Sequence, residues 1–509
     1  MQMLRFLLTT VDTGQPQSRI ALRYLYSVVA NAPIDSKVRY FTALDADDAI
    51  YEEIVRGGYN MVYFHCDMEN EAKITHLCEI VKKAVPTSIV IVGGMQVTFE
   101  TEDFMEEHPE VDYVFRGEGE QVLYDFIKTL ILYEFDFESI PGLAYWDNDE
   151  IHVNRLGRPL RYEDIPFPYD YIGIDAGQTA YYESSRGCPD RCHYAQVLPV
   201  DSYRCLPLAR VSTELRYFLA REVREVLFLD KWINFDAKRA YRIWQYIIDN
   251  DNGKTSFRFD VNGELLDEMT IDLLATARKG LLTFDIDIES TNPEALSVSG
   301  RKANIYPLLS NVDRLIRGTN VTVNVYQKIG LPYENTELFA RSFNKIYALG
   351  ADNMRVEALR LCKGTRLRHE ASKYGYKFSR KPPYEVIAND FMKATEIIRI
   401  KMAVETAELF KDGAFDRSLA RIGQDVGLRP FQLFMKLGEF IYKKGLAGRT
   451  GRKADLYRVL VAFTDTLYDE ANITLQLQEV NDVILNDFEE APAVDDVRKF
   501  ERRGWDVDE

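Results

Sequence analysis

Residues 183–197 read ESSRGCPDRCHYAQV, and the fold of the central part of the chain turns on this stretch. Cys188 and Cys192 stand four apart in a loop punctuated by Gly187 and Pro189. Thiolates at that spacing, continued by a third cysteine three residues on, wrap an iron–sulfur cluster, whose irons take Cys sulfur. The third position here holds Ala195, which donates nothing. His193 is off the spacing, and Cys205 lies ten residues beyond the vacant position. The loop therefore reads as a degenerate metal motif, with no [4Fe–4S] cluster expected. Ala195 is either natural or the product of a Cys→Ala replacement.

Outward from this loop, strand-like runs alternate with helical ones. TAYYESSRGC, EVLFLD, SFRFDVNG, LTFDIDIES, VTVNVYQKIGLP and NMRVEALRL read as six strands, separated by stretches such as STELRYFLARE and AKRAYRIWQYIIDN. The alternation predicts a parallel, partial (β/α)6 barrel over residues 179–384. Successive side chains of a strand point to opposite faces, so Asp285, Asp287 and Glu289 share one face. The same count puts Arg258, Asp260 and Asn262 together, then Asn324, Tyr326 and Lys328, then Arg355 and Glu357. A barrel interior is ordinarily apolar, so a polar lumen predicts a cavity for a charged ligand. Two alternatives stay open: an antiparallel sheet with one wet face, and charges that only pair with one another.

Residues 1–130 carry five β-α repeats, with strands at LRFLLTTV, VRYFTA, MVYFHC, SIVIVGG and DYVFRGEG. Strands joined by helical crossovers predict a doubly wound, Rossmann-like sheet, with its ligand outside the carboxyl ends of the strands. The loops there span Asp12 to Gln17, His65 to Asn70, Gly93 to Val97 and Arg116 to Glu120. No G-x-G-x-x-G follows the first strand, which disfavours a dinucleotide. Residues 131–178, with four prolines and the hairpin-like GLAYWDNDEIHV, read as a linker. Residues 385–509 read as a helical C-terminal domain, in which FQLFMKLGEFIYKKG is amphipathic as core packing requires, and end in the loose tail DVRKFERRGWDVDE.

The net charge of −17 disfavours nucleic acid, because tracking phosphates requires clustered Lys and Arg. No apolar run approaches a membrane span, and the first residues lack a signal-peptide cleavage site, so a cytoplasmic protein with a small-molecule substrate is expected. Six cysteines in no disulfide framework fit a reducing compartment. Cys66, Cys78 and Cys362 are isolated and read as small buried hydrophobes.

The stretch ESSRGCPDRC leading into a β/α series resembles the start of the radical-SAM fold, and the sheet before it resembles a cobalamin-binding domain. ALRYL, VGGMQVTF, FRGEGEQ, GELLDEM, IESTNPEAL, GLPYE and KGTRLRHEA also match patterns of the B12-binding-domain-containing radical-SAM superfamily. The resemblance implies cobalamin against the strand ends of the first domain. Contacts would come from Thr13, Gln15, Gln17, His65, Gln96 and Val97, with Gly93, Gly94 and the Arg116 to Glu120 loop, including Gly117, Glu118 and Gly119, near the nucleotide tail. The D-x-H-x-x-G motif that supplies a lower histidine in methionine-synthase-like domains is absent, since the first loop reads TVDTGQPQSRIAL. His65 could approach the corrin instead, or serve the structure.

Without a cluster, reductive cleavage of S-adenosylmethionine (SAM) has no electron source, while polar chemistry on the sulfonium remains. The resemblance extends to cobalamin-dependent SAM cyclases, which implies displacement at the γ-carbon, release of methylthioadenosine and ring closure to 1-aminocyclopropane-1-carboxylate. Methyl transfer and a non-catalytic cobalamin or SAM binder are the alternatives, and an external reductant for cobalamin is implied by either reaction. Asp285, Asp287, Glu289, Tyr326 and Lys328 are the candidate catalytic groups. Arg258, Asp260, Asn262, Asn324, Arg355 and Glu357 are candidates for holding the amino and carboxylate groups of SAM.

Overall fold

Near-continuous apolar runs in the first third of the chain build a sheet covered on both faces, as parallel strands require. In the computed structural model, which describes residues 4–14, 16–198, 203–410, 415–447 and 450–490, this sheet has seven strands. They are β1 (Arg5–Asp12), β2 (Asp35–Thr42), β3 (Met61–His65), β4 (Ile89–Gly93), β5 (Tyr113–Phe115), β6 (Leu143–Asp147) and β7 (Glu150–Val153). Their order is β2-β1-β3-β4-β5-β6-β7, with the first five parallel. The strand order reverses between β1 and β3, the place where doubly wound sheets open a crevice for ligands. One apolar layer gathers Leu7, Val62, Val90 and Leu77, the other Phe6, Tyr63, Ile91 and Phe126.

The hairpin expected within a linker extends this sheet instead. Strand β6 pairs antiparallel with β5 (Tyr113↔Tyr145, Phe115↔Leu143), and β7 pairs with β6. The physical reason is the open edge of β5, whose backbone groups need partners, together with Leu143 and Ala144, which are fully buried there.

The second sheet comprises β8 (Thr179–Tyr182), β11 (Glu225–Phe228), β12 (Ser256–Asp260), β13 (Leu282–Glu289), β14 (Thr322–Ile329) and β15 (Asn353–Ala358). Between β8 and β11 lies a two-stranded antiparallel ribbon, β9 (Ser185–Arg186) and β10 (Arg204–Cys205). All six strands of the second sheet are parallel, in the order β15-β14-β13-β12-β11-β8. Parallel pairing removes the antiparallel alternative. Phe257, Phe259, Phe284, Ile286, Ile288, Val323 and Val325 are buried, in one core with Trp244 of helix Ala237–Asp249 and Val312 of helix Ile305–Gly318. The intervening residues of β12 and β13 are half-buried and carry the charges.

The last region opens with a further strand pair, β16 (Lys377–Phe378) and β17 (Val386–Ala388), so strands persist slightly past residue 385. Helices follow from Ala394–Leu409 onward. In helix Pro430–Lys443, Phe431, Leu433, Phe434, Leu437 and Ile441 are buried in a core shared with Phe339 and Phe343 of the barrel helix Thr336–Tyr347. The charged tail lies outside the described residues. Among the described residues, no helix is long and apolar enough to cross a membrane.

Candidate functional site

The carboxyl ends of the two parallel sheets face one another across a cavity of about 820 Å³, within the usual range for small-molecule and cofactor sites. From the first domain come Tyr24, Tyr63, His65, Gly94, Gln96 and the Gly117–Glu120 loop; from the barrel come Arg186, Cys188, Tyr194, Lys231, Lys328 and Glu357. Cross-domain contacts close its sides: Arg368–Glu100 at 3.0 Å, Lys363–Glu71 at 3.2 Å, Arg360–Glu69 at 3.4 Å, and a hydrogen bond from Gln96 to the Tyr384 hydroxyl.

Gly94 has to be glycine. Its φ is +119°, and a Cβ there would fall 2.3 Å from the carbonyl oxygen of Cys66. His65 lines the cavity from the end of β3, with Nε2 3.3 Å from Asp67 Oδ1. Gly93 is packed against Tyr63 and Val97 is fully buried, so these two support the floor from below. Arg116 turns away, donating to the carbonyls of Thr98 (3.3 Å) and Asn154 (2.8 Å), and borders a separate cavity of about 220 Å³. The Thr13 hydroxyl is buried with no hydrogen-bond partner among the described residues. Gln15 and the side chain of Gln17 lie outside the described residues.

An ion-pair cluster that the sequence reading passed over lines the junction. Arg186, from β9, meets Glu120 at 2.8 Å, Glu183 at 3.0 Å and Glu118 at 3.3 Å, and lies over the rings of Tyr24 and Tyr162. Arg204, from β10, holds the other oxygen of Glu118. Burial pushes the Glu183 carboxyl up to about 7, against the opposing pull of Arg186. Arg186 stands two residues before Cys188 in the same stretch, ESSRGCPDRC.

Within the barrel, most of the expected polar face is engaged internally. Arg258 grips Asp285 through two hydrogen bonds of 2.6 and 2.9 Å, and Asn324 (2.8 Å) and Tyr326 (3.1 Å) donate to the same carboxylate. Burial pushes the Tyr326 hydroxyl up to about 12. Asn262 is buried, and its side chain accepts from the Glu264 amide at 2.9 Å as a turn cap. Lys231 holds Asp260 at 2.7 Å; it stands just past the end of β11, a position that strand-end reasoning could have found. Lys328 pairs with Glu357 at 2.6 Å on the cavity wall. Arg355 is exposed on β15.

Asp287 and Glu289 differ from their neighbours. A β-bulge interrupts the β13–β14 register between them, and Glu289 takes a left-handed backbone, φ +65°. Glu289 is buried against Arg301 at 3.0 Å and accepts a hydrogen bond from Tyr194. Burial raises its carboxyl above the ordinary range, with Arg301 opposing. The Asp287 carboxylate has no hydrogen bond or ion pair among the described residues; its carbonyl accepts from Arg301.

The loop offers two thiols, Cys188 and Cys192, and Ala195 at the position where a three-thiolate cluster takes its third ligand. Cys188 and Cys192 are half-buried, burial raises both thiols, and the Cys192 thiol donates to Asp190 at 3.3 Å. Cys205 is exposed in the ribbon opposite Ser185. Among the described residues no three His, Cys, Asp or Glu side chains are grouped to hold a metal ion.

Comparison with known proteins gives this architecture its class. Residues 8–127 match the B12 binding domain, 182–346 the Radical SAM superfamily, and 372–503 a family described as a protein of unknown function (DUF4080). The cobalamin-dependent radical SAM methyltransferase TokK of Streptomyces tokunonensis is 26% identical over 179 residues, 32% of this chain and 26% of TokK. An anaerobic magnesium-protoporphyrin IX monomethyl ester cyclase of Cereibacter sphaeroides is 30% identical over 132 residues, 23% of this chain and 21% of the cyclase. The matches thus span about a quarter of these relatives' lengths. The structure of OxsB with aqua-cobalamin bound superimposes at a TM-score of 0.64 with 12% identity, covering 96% of this chain and 84% of OxsB. TsrM from Kitasatospora setae, with cobalamin and a [4Fe-4S] cluster bound, does so at 0.61 with 16% identity, covering 77% and 79%. The chain joins a B12-binding domain, a radical-SAM domain and a helical C-terminal region. It is homologous to cobalamin-dependent radical-SAM methyltransferases and cyclases.

Proposed function

We propose that the chain is a cobalamin-dependent enzyme that acts on SAM by polar chemistry without an iron–sulfur cluster, closing its amino-acid arm to 1-aminocyclopropane-1-carboxylate with release of methylthioadenosine and a proton. The observation that carries the reading is the donor set: two thiols, Ala195, and no third ligand grouped with them among the described residues. Cobalamin would lie along the glycine-edged floor at the strand ends, where Gly94, Gly117 and Gly119 allow close approach and Tyr24, Tyr63 and His65 line the cavity. When bound in its reduced state, cobalamin would supply a nucleophile toward the carbons of the sulfonium.

The chain's own residues do the rest. Lys231 and Lys328 present cations at the barrel mouth for the carboxylate of SAM, and Glu357 a carboxylate for its ammonium. Asp287, the lumen carboxylate with no internal partner among the described residues, takes the α-proton on its Oδ. Asp285 and Arg258, tied to each other, shape the lumen beneath. The cross-domain ion pairs keep bulk water from the cavity's flanks.

The test is anaerobic incubation of the full chain with SAM, cobalamin and titanium(III) citrate, followed by identification of the nucleoside. Equimolar methylthioadenosine and cyclopropane amino acid are expected, while 5′-deoxyadenosine, or about four irons per chain in the active protein, overturns the reading. Methyl transfer is the second reading, supported by the match to a cobalamin-dependent radical SAM methyltransferase; it gives S-adenosylhomocysteine and requires an acceptor. Recovery of SAM unchanged would favour a non-catalytic binder.

A further inference from the structure

A second cavity, of about 420 Å³, lies apart from the first and is also within the size range of small-molecule sites. One wall is the barrel helix Thr336–Tyr347 with strand β15. The other is built by helices Ala394–Leu409, Asp416–Asp425 and Pro430–Lys443. These three helices fall within residues 372–503, the region matched to a family of unknown function. Met354 and Val356 of β15 line this cavity, whereas Glu357 and Ala358, at the carboxyl end of the strand, line the larger one, and no residue lines both.

The interior of the cavity is apolar, with Phe343, Ile346, Leu419, Leu433 and Phe434 buried around it. Protein interiors are close-packed, and space left unfilled between apolar side chains costs stability. The mouth is acidic. Asp416, Ala420 and Gln424 recur every four residues along helix Asp416–Asp425 and are exposed, so one stripe of that helix forms the lip. Glu408, half-buried on helix Ala394–Leu409, lines the cavity as well. Neither the Glu408 nor the Asp416 carboxylate has a hydrogen bond or ion pair among the described residues. Tyr347 lies close enough to Asp416 to feel its charge: burial and that carboxylate together push the phenol up to about 12. Among the described residues, no Lys, Arg or His lines this cavity.

We infer that this cavity is a second ligand site, which takes a lipophilic amine with its body between the barrel and the C-terminal helices and its ammonium at Glu408 and Asp416. Apolar walls reward burial of a hydrophobic body. Two carboxylates without a protein cation at the rim attract a positive end and repel a negative one. The site stands independently of the reaction proposed above, because the two cavities share no residue.

The probe is phenylbutylamine, cationic at neutral pH, against phenylbutyrate, which has a similar body and the opposite charge. Binding to the full chain is followed by isothermal titration calorimetry, with and without hydroxocobalamin and SAM in excess. One equivalent of the amine is expected to bind with a Kd below about 1 mM, with no binding of the acid and no change when cobalamin and SAM are present. Ala420→Trp fills the mouth and is expected to abolish binding. Glu408→Gln/Asp416→Asn is expected to weaken the amine about tenfold and to narrow its advantage over the acid. Circular dichroism verifies folding, and the charge variant decides alone if Ala420→Trp fails to fold. No saturation by the amine, equal binding of the two probes, unchanged affinity in either folded variant, or displacement of the amine by cobalamin overturns the inference.

Discussion

The two walls of the cavity are built on opposite principles. The wall from the first domain is made of strand-end loops with glycine at close approach, and its charges are carboxylates, Asp67, Glu69, Glu118 and Glu120, the last two answered by Arg186 from across the junction. The barrel wall is dense with charge, yet nearly every charge is answered from within: Arg258 by Asp285, Lys231 by Asp260, Arg301 by Glu289, Lys328 by Glu357. A ligand on the first wall finds space. A ligand on the second meets charges that are mostly paired, so Lys231 or Lys328 must exchange a protein carboxylate for the ligand's, whereas the Asp287 carboxylate has no hydrogen bond or ion pair among the described residues. Polar residues on a strand face thus locate a lumen, and partnering decides which of them can act.

The largest effect that would break this contrast is removal of a buried partner. Arg301→Met leaves the Glu289 carboxylate buried and unpaired, and is expected to cost about 3–5 kcal/mol in urea unfolding. A cost near zero would show the pair to be dispensable. Next, Asp287→Asn is expected to lower turnover about 10²- to 10⁴-fold with little change in unfolding midpoint, whereas Asp285→Asn should act mainly on stability. The reverse pattern would exchange their roles.

The Arg186 cluster sharpens the contrast through pH. Glu183 holds its proton more tightly when folded, at about 7, than when unfolded, near 4.5. The folded state therefore binds more protons in that window, and stability falls by about 3 kcal/mol as pH rises through it. Glu183→Gln should flatten the decline in melting temperature between pH 5 and 8. A mutant curve parallel to that of the unmodified protein would count against the burial argument. The smallest effect is expected at Cys205→Ser: the thiol is exposed and the change should stay within about 0.5 kcal/mol, with iron content and turnover unaltered.

Much of this was legible before any coordinates. The five β-α repeats of the first domain and the six barrel strands lie where their apolar runs place them, because buried parallel strands must be continuously hydrophobic. The alternation in LTFDIDIE likewise put Asp285 and Asp287 on the half-buried face of β13, opposite the buried Phe284 and Ile286. The edge role of β6 was not legible, since it depends on the open side of β5, far away in the chain until folding brings them together. Nor was Arg301, which comes from the loop between helices Pro293–Val298 and Ile305–Gly318 to pair with the buried Glu289.

The sequence by itself determined the class of fold, the polar character of the lumen and the missing third thiol, all properties of local pattern and spacing. Only the tertiary structure decided that Arg258 is spent on Asp285, that Arg186 knits the two domains, and that Tyr194 donates to the buried Glu289. The reason is physical: a side chain's period along its strand says which way it points, but its availability depends on which charges meet it in space, and those come from other strands and loops, such as Asp285 for Arg258 and Glu120 for Arg186.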